Sequence, residues 1–341
     1  MRFFHAAIFA TALALAVRCA FAAVGLTQLP GKEGDGPVTV FYPTAATEQA
    51  TKRGPFTLSA AVDGPPQRGN GRLVVISHGS GGAPWVHASL ARALVDAGFV
   101  VALPEHRGDN SKGTEDAGPV SWKRRPAEAA RAIDAVGADP RFAPLLRLDR
   151  VGMYGMSAGG HTALTLAGGR WSPEGMKKHC EAHIAEDFHS CASVYTKLTG
   201  GFLDGLKERM VLWAIDLRFS DPTPQSFEDR RFAAVVAGVP YAADFDMSSL
   251  AKPRVPLALV TAKHDLWLVP RFHGEAVLKA CKDCPRLADI DGGHGALLSP
   301  PPPGLKGIVA ELLDDPPGFD RGKMPEVDRK IVAFFREQLL R

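Results

Sequence analysis

The chain has 341 residues, 45% of them apolar, and its 40 Lys and Arg against 37 Asp and Glu leave a net charge of +3. That length and apolar content suffice for a buried α/β core. The charges nearly offset, and no block of Lys or Arg stands out, which argues against nucleic acid as a partner.

In chain order, the first element reads as an export signal. Arg2 gives a positive start, and Phe3 to Val17 is apolar except for His5 and Thr11. Ala20-Phe21-Ala22 then supplies a small-x-small cleavage pattern. The apolar run is shorter than the roughly 20 residues that span a bilayer. The expectation is cleavage after Ala22, a mature chain of residues 23–341 in the periplasm or outside the cell, and no stable membrane insertion. Lipid attachment at Cys19 is disfavoured by Arg18, which stands where a small residue is needed. Cleavage leaves Cys180, Cys191, Cys281 and Cys284. An even count in an exported chain suggests disulfides, and of the three pairings the local one is favoured: Cys180–Cys191 and Cys281–Cys284. A zinc or redox reading of Cys281-Lys-Asp-Cys284 lacks a second such pair or a thioredoxin-like context.

Eight β-prone runs follow: Val38–Tyr42, Thr57–Val62, Leu73–Ser77, Phe99–Pro104, Arg150–Tyr154, Phe232–Ala237, Val255–Thr261 and Arg286–Ile290. From the third onward most are nearly all apolar, as strands covered on both faces are. Helical patterns alternate with them at Val86–Ala97, Pro126–Val136, Ala158–Ala167, Phe272–Cys281 and Glu326–Leu340. This alternation predicts an eight-stranded, mostly parallel sheet flanked by helices. Residues 169–231 break the rhythm with two cysteines, two tryptophans and many charges, and are too long for a plain connection. They are expected to form a mostly helical cap insertion beside the active site, with Trp171 and Trp213 in it.

Gly155-Met156-Ser157-Ala158-Gly159 fits the G-x-S-x-G nucleophile elbow, between the strand pattern that precedes it and the helix pattern that follows. The glycines remove side chains that would collide in so tight a turn, and the helix dipole favours negative charge at the apex. A serine hydroxyl needs a base. His294, in the glycine-rich stretch after the last strand run, is the expected base. Asp265, just past the seventh run, is the expected acid, with Asp244, Asp246, Asp289 and Asp291 as rivals. The backbone N–H groups of Ala158 and Ser80 are the expected oxyanion donors. Ser80 lies in Ser77-His78-Gly79-Ser80-Gly81-Gly82, and its own side chain is expected to matter little. Trp85, Met156 and Trp267 are candidates to line an acyl pocket; core packing is the competing reading.

Together these residues resemble the α/β-hydrolase superfamily. The stretches VVISHGSGG, LVDAGFVVALPEHRGDN and GMYGMSAGG resemble the branch of platelet-activating-factor acetylhydrolase-like lipases and predicted dienelactone hydrolases. The Ser-His-Gly start of the loop and Glu105-His106-Arg107 carry that resemblance most specifically. It implies an α/β-hydrolase fold, Ser157 as nucleophile, Asp265 as acid, His294 as base, and Ser80 with Ala158 as oxyanion donors. Authentic dienelactone hydrolases use cysteine, so the serine here argues against a dienelactone substrate. Cutinase-like polyester hydrolases commonly carry methionine where this chain has Ala158. The function expected is a secreted serine esterase acting on a small-molecule ester, with no metal or organic cofactor required. A peptidase of prolyl-oligopeptidase kind and a non-catalytic protein on the same fold are the alternatives. The sequence leaves the oligomeric state open.

Overall fold

A computed structural model describes residues 23–341 apart from residue 33; the expected export signal lies outside the described residues. The chain opens with β1 (Ala23–Leu29), β2 (Val38–Thr44), β3 (Gln49–Arg53) and β4 (Phe56–Val62). Strand and helix then alternate through β5 (Leu73–Ser77), α1 (Ala88–Asp96), β6 (Val100–Pro104), α2 (Pro119–Ala138), β7 (Val151–Met156) and α3 (Ala158–Leu166). Residues 169–231 hold the short strand β8 (Arg170–Trp171) and the helices α4 (Pro173–His183), α5 (Phe188–Ala192) and α6 (Asp204–Arg218). After them come β9 (Phe232–Gly238), β10 (Phe245–Asp246), β11 (Leu257–Ala262), α7 (Gly274–Ala280), β12 (Arg286–Ile290), α8 (Ile308–Leu313) and α9 (Met324–Leu339).

The central sheet runs β12-β11-β9-β7-β5-β6-β2-β1-β4-β3. From β12 to β6 every neighbouring pair is parallel. β2 enters antiparallel to both β6 and β1. The sheet therefore has ten strands, not the eight expected. The two additions are β1 and β3. The first follows directly on the signal-like run and mixes Gly, Thr and Gln among its apolar residues. The second is Gln-Ala-Thr-Lys-Arg, with no buried residue. As the edge strand it needs a partner on one side only, so no apolar alternation marks it.

The parallel strands are apolar because both faces are covered. All residues of β5, β6, β7 and β11 are buried. On one face Val75, Met153, Val235 and Leu259 pack with Ile133 of α2 and Leu164 of α3. On the other Ile76, Tyr154, Val236 and Val260 pack with Leu94 of α1 and Phe335 of α9. Helix α2 starts at Pro119, seven residues before the expected proline, and Pro126 lies inside it. Pro119 itself takes the first-turn position that suits proline. The first half of α2 looks polar in sequence because its buried residues include Ser121 and Arg125.

Within residues 169–231, β8 pairs antiparallel with β10. Cys180 is joined to Cys191 (Cα–Cα 5.8 Å), tying α4 to the end of α5. Cys281 is joined to Cys284 at the end of α7 (Cα–Cα 5.4 Å). Trp171 is buried against Trp122 and His161, with ring centroids 5.9 and 4.6 Å away. Trp213 on α6 instead faces solvent, 67% exposed. Among the described residues no helix is long and apolar enough to cross a membrane.

Two glycines make opposite predictions. A Cβ on Gly155 would lie 1.9 Å from the Gly159 carbonyl oxygen, whereas a Cβ on Gly205 in α6 meets nothing within 4 Å. Gly155→Ala is expected to lower the unfolding free energy by at least about 3 kcal/mol. Gly205→Ala is expected to raise it by up to about 1 kcal/mol. Urea denaturation measures both.

Candidate active site

β7 ends at Met156 and α3 begins at Ala158, so Ser157 alone makes the turn from strand to helix. Its φ is +58° and ψ −120°, a conformation that costs an L-residue about 1–3 kcal/mol. Neighbouring backbone imposes it. Gly155 lies against the Gly159 carbonyl, and a Cβ on Gly159 would sit 2.0 Å from the Ser77 carbonyl oxygen. The Ser157 amide donates to the Gly238 carbonyl at 3.1 Å, and the Ser157 carbonyl accepts from Tyr241 N at 3.1 Å and His161 N at 3.0 Å. The side chain is left half-buried at the end of the sheet.

Asp265 follows β11, and His294 follows β12. His294 Nδ1 donates to Asp265 Oδ2 at 2.7 Å. Asp265 Oδ1 accepts from the amides of Trp267 and Leu268, both at 2.9 Å. Both carboxylate oxygens are therefore engaged, and the imidazole is held with its Nε2 as the basic nitrogen. The His294 turn packs against the same Gly238 that holds Ser157, since a Cβ on Gly238 would be 2.8 Å from Leu297. The structure thus brings Asp265 and His294 into contact. Among the described residues Ser157 Oγ has no hydrogen bond, to His294 or otherwise. The rival acids are engaged elsewhere: Asp244 with His161 (3.0 Å), Asp246 with Ser248 (2.6 Å), Asp289 with Thr261 (2.7 Å) and Asp291 with His264 (3.0 Å).

The loop after β5 faces the serine: a Cβ on Gly79 would be 3.3 Å from Ser157 Cβ. The amides of Ser80 and Ala158 have no hydrogen-bond partner among the described residues. Gly81 N instead donates to Asp109 Oδ1 at 3.0 Å, and Gly82 N to the Gly79 carbonyl at 3.1 Å. The Ser80 hydroxyl is itself engaged, donating to Asp109 Oδ1 at 2.5 Å.

The sequence reading missed what lies beneath this loop. Arg125 of α2 and Asp109 of the loop after β6 form a fully buried ion pair at 2.8 Å. Arg125 also donates to the His78 carbonyl at 2.5 Å and to Ser121 Oγ at 2.9 Å. Burial pushes the Asp109 carboxyl up, but the Arg125 charge and the donors from Ser80, Ser121 and Gly81 outweigh it and hold it at about 2. Beside the pair, Ser77 Oγ meets His106 Nε2 at 2.7 Å and His106 Nδ1 meets Glu128 at 2.5 Å. Burial holds the His78 and His106 imidazoles well below the usual histidine range. Of the Glu105-His106-Arg107 motif, the histidine is wholly buried between Ser77 and Glu128, and Glu105 reaches out to Lys112 at 2.7 Å. The sequence traces of this layer were that motif and the Ser77-His78-Gly79 stretch; Arg125 sits in a short run of basic residues indistinguishable from a solvated helix face.

The expected pocket residues part ways. Met156 is buried in the sheet core with Val236 and Val260, because its place in the strand alternation turns it away from the serine's side. Trp85 is half-buried and reaches toward Gly54 in the β3–β4 turn. Trp267 packs against His189 of α5, ring centroids 4.1 Å apart and planes tilted by 35°, which joins residues 169–231 to the Asp265 loop.

A second junction is made by Asp187, whose Oδ2 accepts from His179 Nε2 at 2.8 Å and His273 Nε2 at 2.9 Å. These three have ligand atoms within 4.8 Å of one another, close enough to surround a metal ion. The hydrogen bonds argue otherwise. His273 Nδ1 accepts the Ala242 amide at 3.0 Å, so in the neutral ring Nε2 carries the proton and cannot offer a lone pair. Burial pushes the Asp187 carboxyl up, but the His179 and His273 donors hold it well below the usual carboxylate range.

No protein-family model matches the chain, and no curated protein matches it.

The Asp109 shift gives a pH-dependent prediction. Its folded value of about 2 lies below the ordinary 3.8, so its carboxylate stabilises the fold above about pH 4, and that contribution is lost between about pH 4 and 2. Asp109→Asn is expected to cost about 3 kcal/mol at pH 7, because Arg125 stays buried without its counter-charge. Urea denaturation across pH should show that deficit shrinking as the pH falls below about 4.

Proposed function

We propose that the protein is a secreted serine hydrolase on the α/β-hydrolase fold that cleaves carboxylic esters through an acyl-enzyme. The observation that carries this reading is the 2.7 Å Asp265–His294 hydrogen bond, placed on loops beside a strained apex serine. Ser157 Oγ attacks the ester carbonyl while His294 Nε2 takes its proton. Asp265 holds the ring in the required tautomer and stabilises the imidazolium. The Ser80 and Ala158 amides bind the oxyanion, each worth about 3 kcal/mol. His294 then returns the proton to the leaving alcohol, and water, deprotonated by the same ring, releases the acid. The missing Ser157–His294 hydrogen bond is compatible with this sequence, because such contacts often tighten only around substrate.

Residues 169–231 act as a cap in this reading. Their junctions with the body, at Trp267 beside Asp265 and at His273, lie close to the acid's loop. They would restrict the acyl chain to short lengths.

Wild-type protein should be labelled by a fluorophosphonate and should hydrolyse nitrophenyl acetate or butyrate faster than long-chain esters. Ser157→Ala should abolish labelling. Asp265→Asn should leave labelling slow and lower kcat about 10⁴-fold. An unlabelled wild type, or turnover of peptides but not esters, would sink the proposal. A second expectation concerns pH: activity should decline below about pH 6, since protonated imidazole cannot accept the serine proton. Activity that stays level down to pH 4 rules this base out.

A further inference from the structure

We infer that the buried Asp109–Arg125 pair is a positioning device that aims the Ser80 N–H at the carbonyl oxygen of the bound ester. The inference rests on the esterase reading above. It starts from the Gly79 carbonyl, which has three donors: His78 Nδ1 at 2.7 Å, Gly82 N at 3.1 Å and Arg125 Nη2 at 3.5 Å. In a trans peptide the following N–H points opposite to that carbonyl. Arg125 is wholly buried, whereas Ser80 is exposed. The Gly79 carbonyl therefore points inward, and the Ser80 N–H points outward, to the side from which substrate reaches Ser157.

The next peptide is held in the reverse sense. Its N–H, on Gly81, turns inward to Asp109 Oδ1 at 3.0 Å. The same oxygen takes the Ser80 hydroxyl at 2.5 Å. One carboxylate and one guanidinium thus pin both peptides that flank Ser80. Arg125 adds the preceding carbonyl, on His78, at 2.5 Å. Of the amides on Ser80, Gly81 and Gly82, only that of Ser80 is left without a partner among the described residues.

Stability alone does not call for such a pair. Burying two charges costs about as much as their attraction returns, and apolar residues of equal volume often serve a core as well. What an apolar pair cannot do is hold three main-chain groups of a glycine-rich loop in one orientation. Asp109 and Arg125 touch no reacting atom, so they are positioning residues, and the Ser80 hydroxyl is their handle on the loop.

The test compares wild type with Ser80→Ala, Ser80→Thr and Arg125→Lys. Fluorophosphonate labelling of wild type comes first; a wild type that stays unlabelled overturns the esterase reading and this inference together. With a labelled wild type, Ser80→Ala should lower kcat on a nitrophenyl ester by about 10- to 100-fold. KM should stay within about twofold, because the donor acts on the transition state. Inhibition by an alkylboronic acid, whose tetrahedral adduct needs the same donor, should weaken by a similar factor. Ser80→Thr keeps the hydroxyl and should recover both. Arg125→Lys keeps the charge, loses the fork, and should show the same loss in kcat. Ser80→Ala removes no charge from an exposed position, so a folded variant is expected, and its melting temperature checks that. Wild-type kcat and boronate affinity in Ser80→Ala would overturn the positioning role while leaving the esterase reading intact. So would a loss that Ser80→Thr fails to recover.

Discussion

The contact between the start of α3 and the end of β5 governs this molecule. Gly159 meets the Ser77 carbonyl at a distance that leaves no room for a Cβ, and Gly155 meets Gly159 in the same way. Backbone can approach a carbonyl this closely only where the approaching residue has no side chain. The contact draws the helix tight against the sheet and leaves Ser157 no relaxed backbone conformation. It also fixes the loop after β5 beside the serine. The strain is offset by the three hydrogen bonds that the Ser157 amide and carbonyl make with Gly238, Tyr241 and His161.

A layer of buried polar residues supports that contact from below. Such residues are expensive to bury unless each finds a partner. Here Asp109, Arg125, His106, Glu128 and Ser77 supply one another. The layer replaces the secondary structure that the glycine-rich loop lacks. An apolar layer would let Gly79 to Gly82 sample many conformations, since glycine restricts the backbone least. Charged and hydrogen-bonding partners with fixed directions select one. Residues 169–231 are fastened by a related device. Asp187 receives two imidazole donors, one from α4 and one from the residue preceding α7. This joins the helices of residues 169–231 to the body with directional bonds as well as apolar packing, and the Cys180–Cys191 bridge closes the same corner.

Several elements were legible in the sequence for definite reasons. Strands buried on both faces carry unbroken apolar runs, so β5, β6, β7, β9 and β11 announce themselves. The strain at Ser157 was legible because only a glycine two residues to either side tolerates the turn. The two local cysteine pairs followed from count and spacing. The sequence stayed silent where a residue's environment is set by distant neighbours. β3 carries no apolar pattern, because an edge strand buries nothing. The start of α2 hides in a polar stretch, because two of its buried residues are Ser121 and Arg125. Met156 adjoins the serine in sequence yet belongs to the core, because successive strand residues face opposite sides of the sheet.

The sequence by itself therefore determined the strand and helix rhythm, the strained apex and the residue types available for acid–base chemistry, all of which depend on neighbours a few positions away. Tertiary structure alone decided which carboxylate meets His294, which loop amide is left without a partner, and that Arg125 lies inside. Those outcomes depend on which strand ends are adjacent in the sheet, and on hydrogen bonds between groups far apart in the chain. A carboxylate after β11 reaches a histidine after β12 because those strands lie side by side. A basic residue in a helix becomes a buried brace only when the fold lays that helix under a loop whose carbonyls need donors.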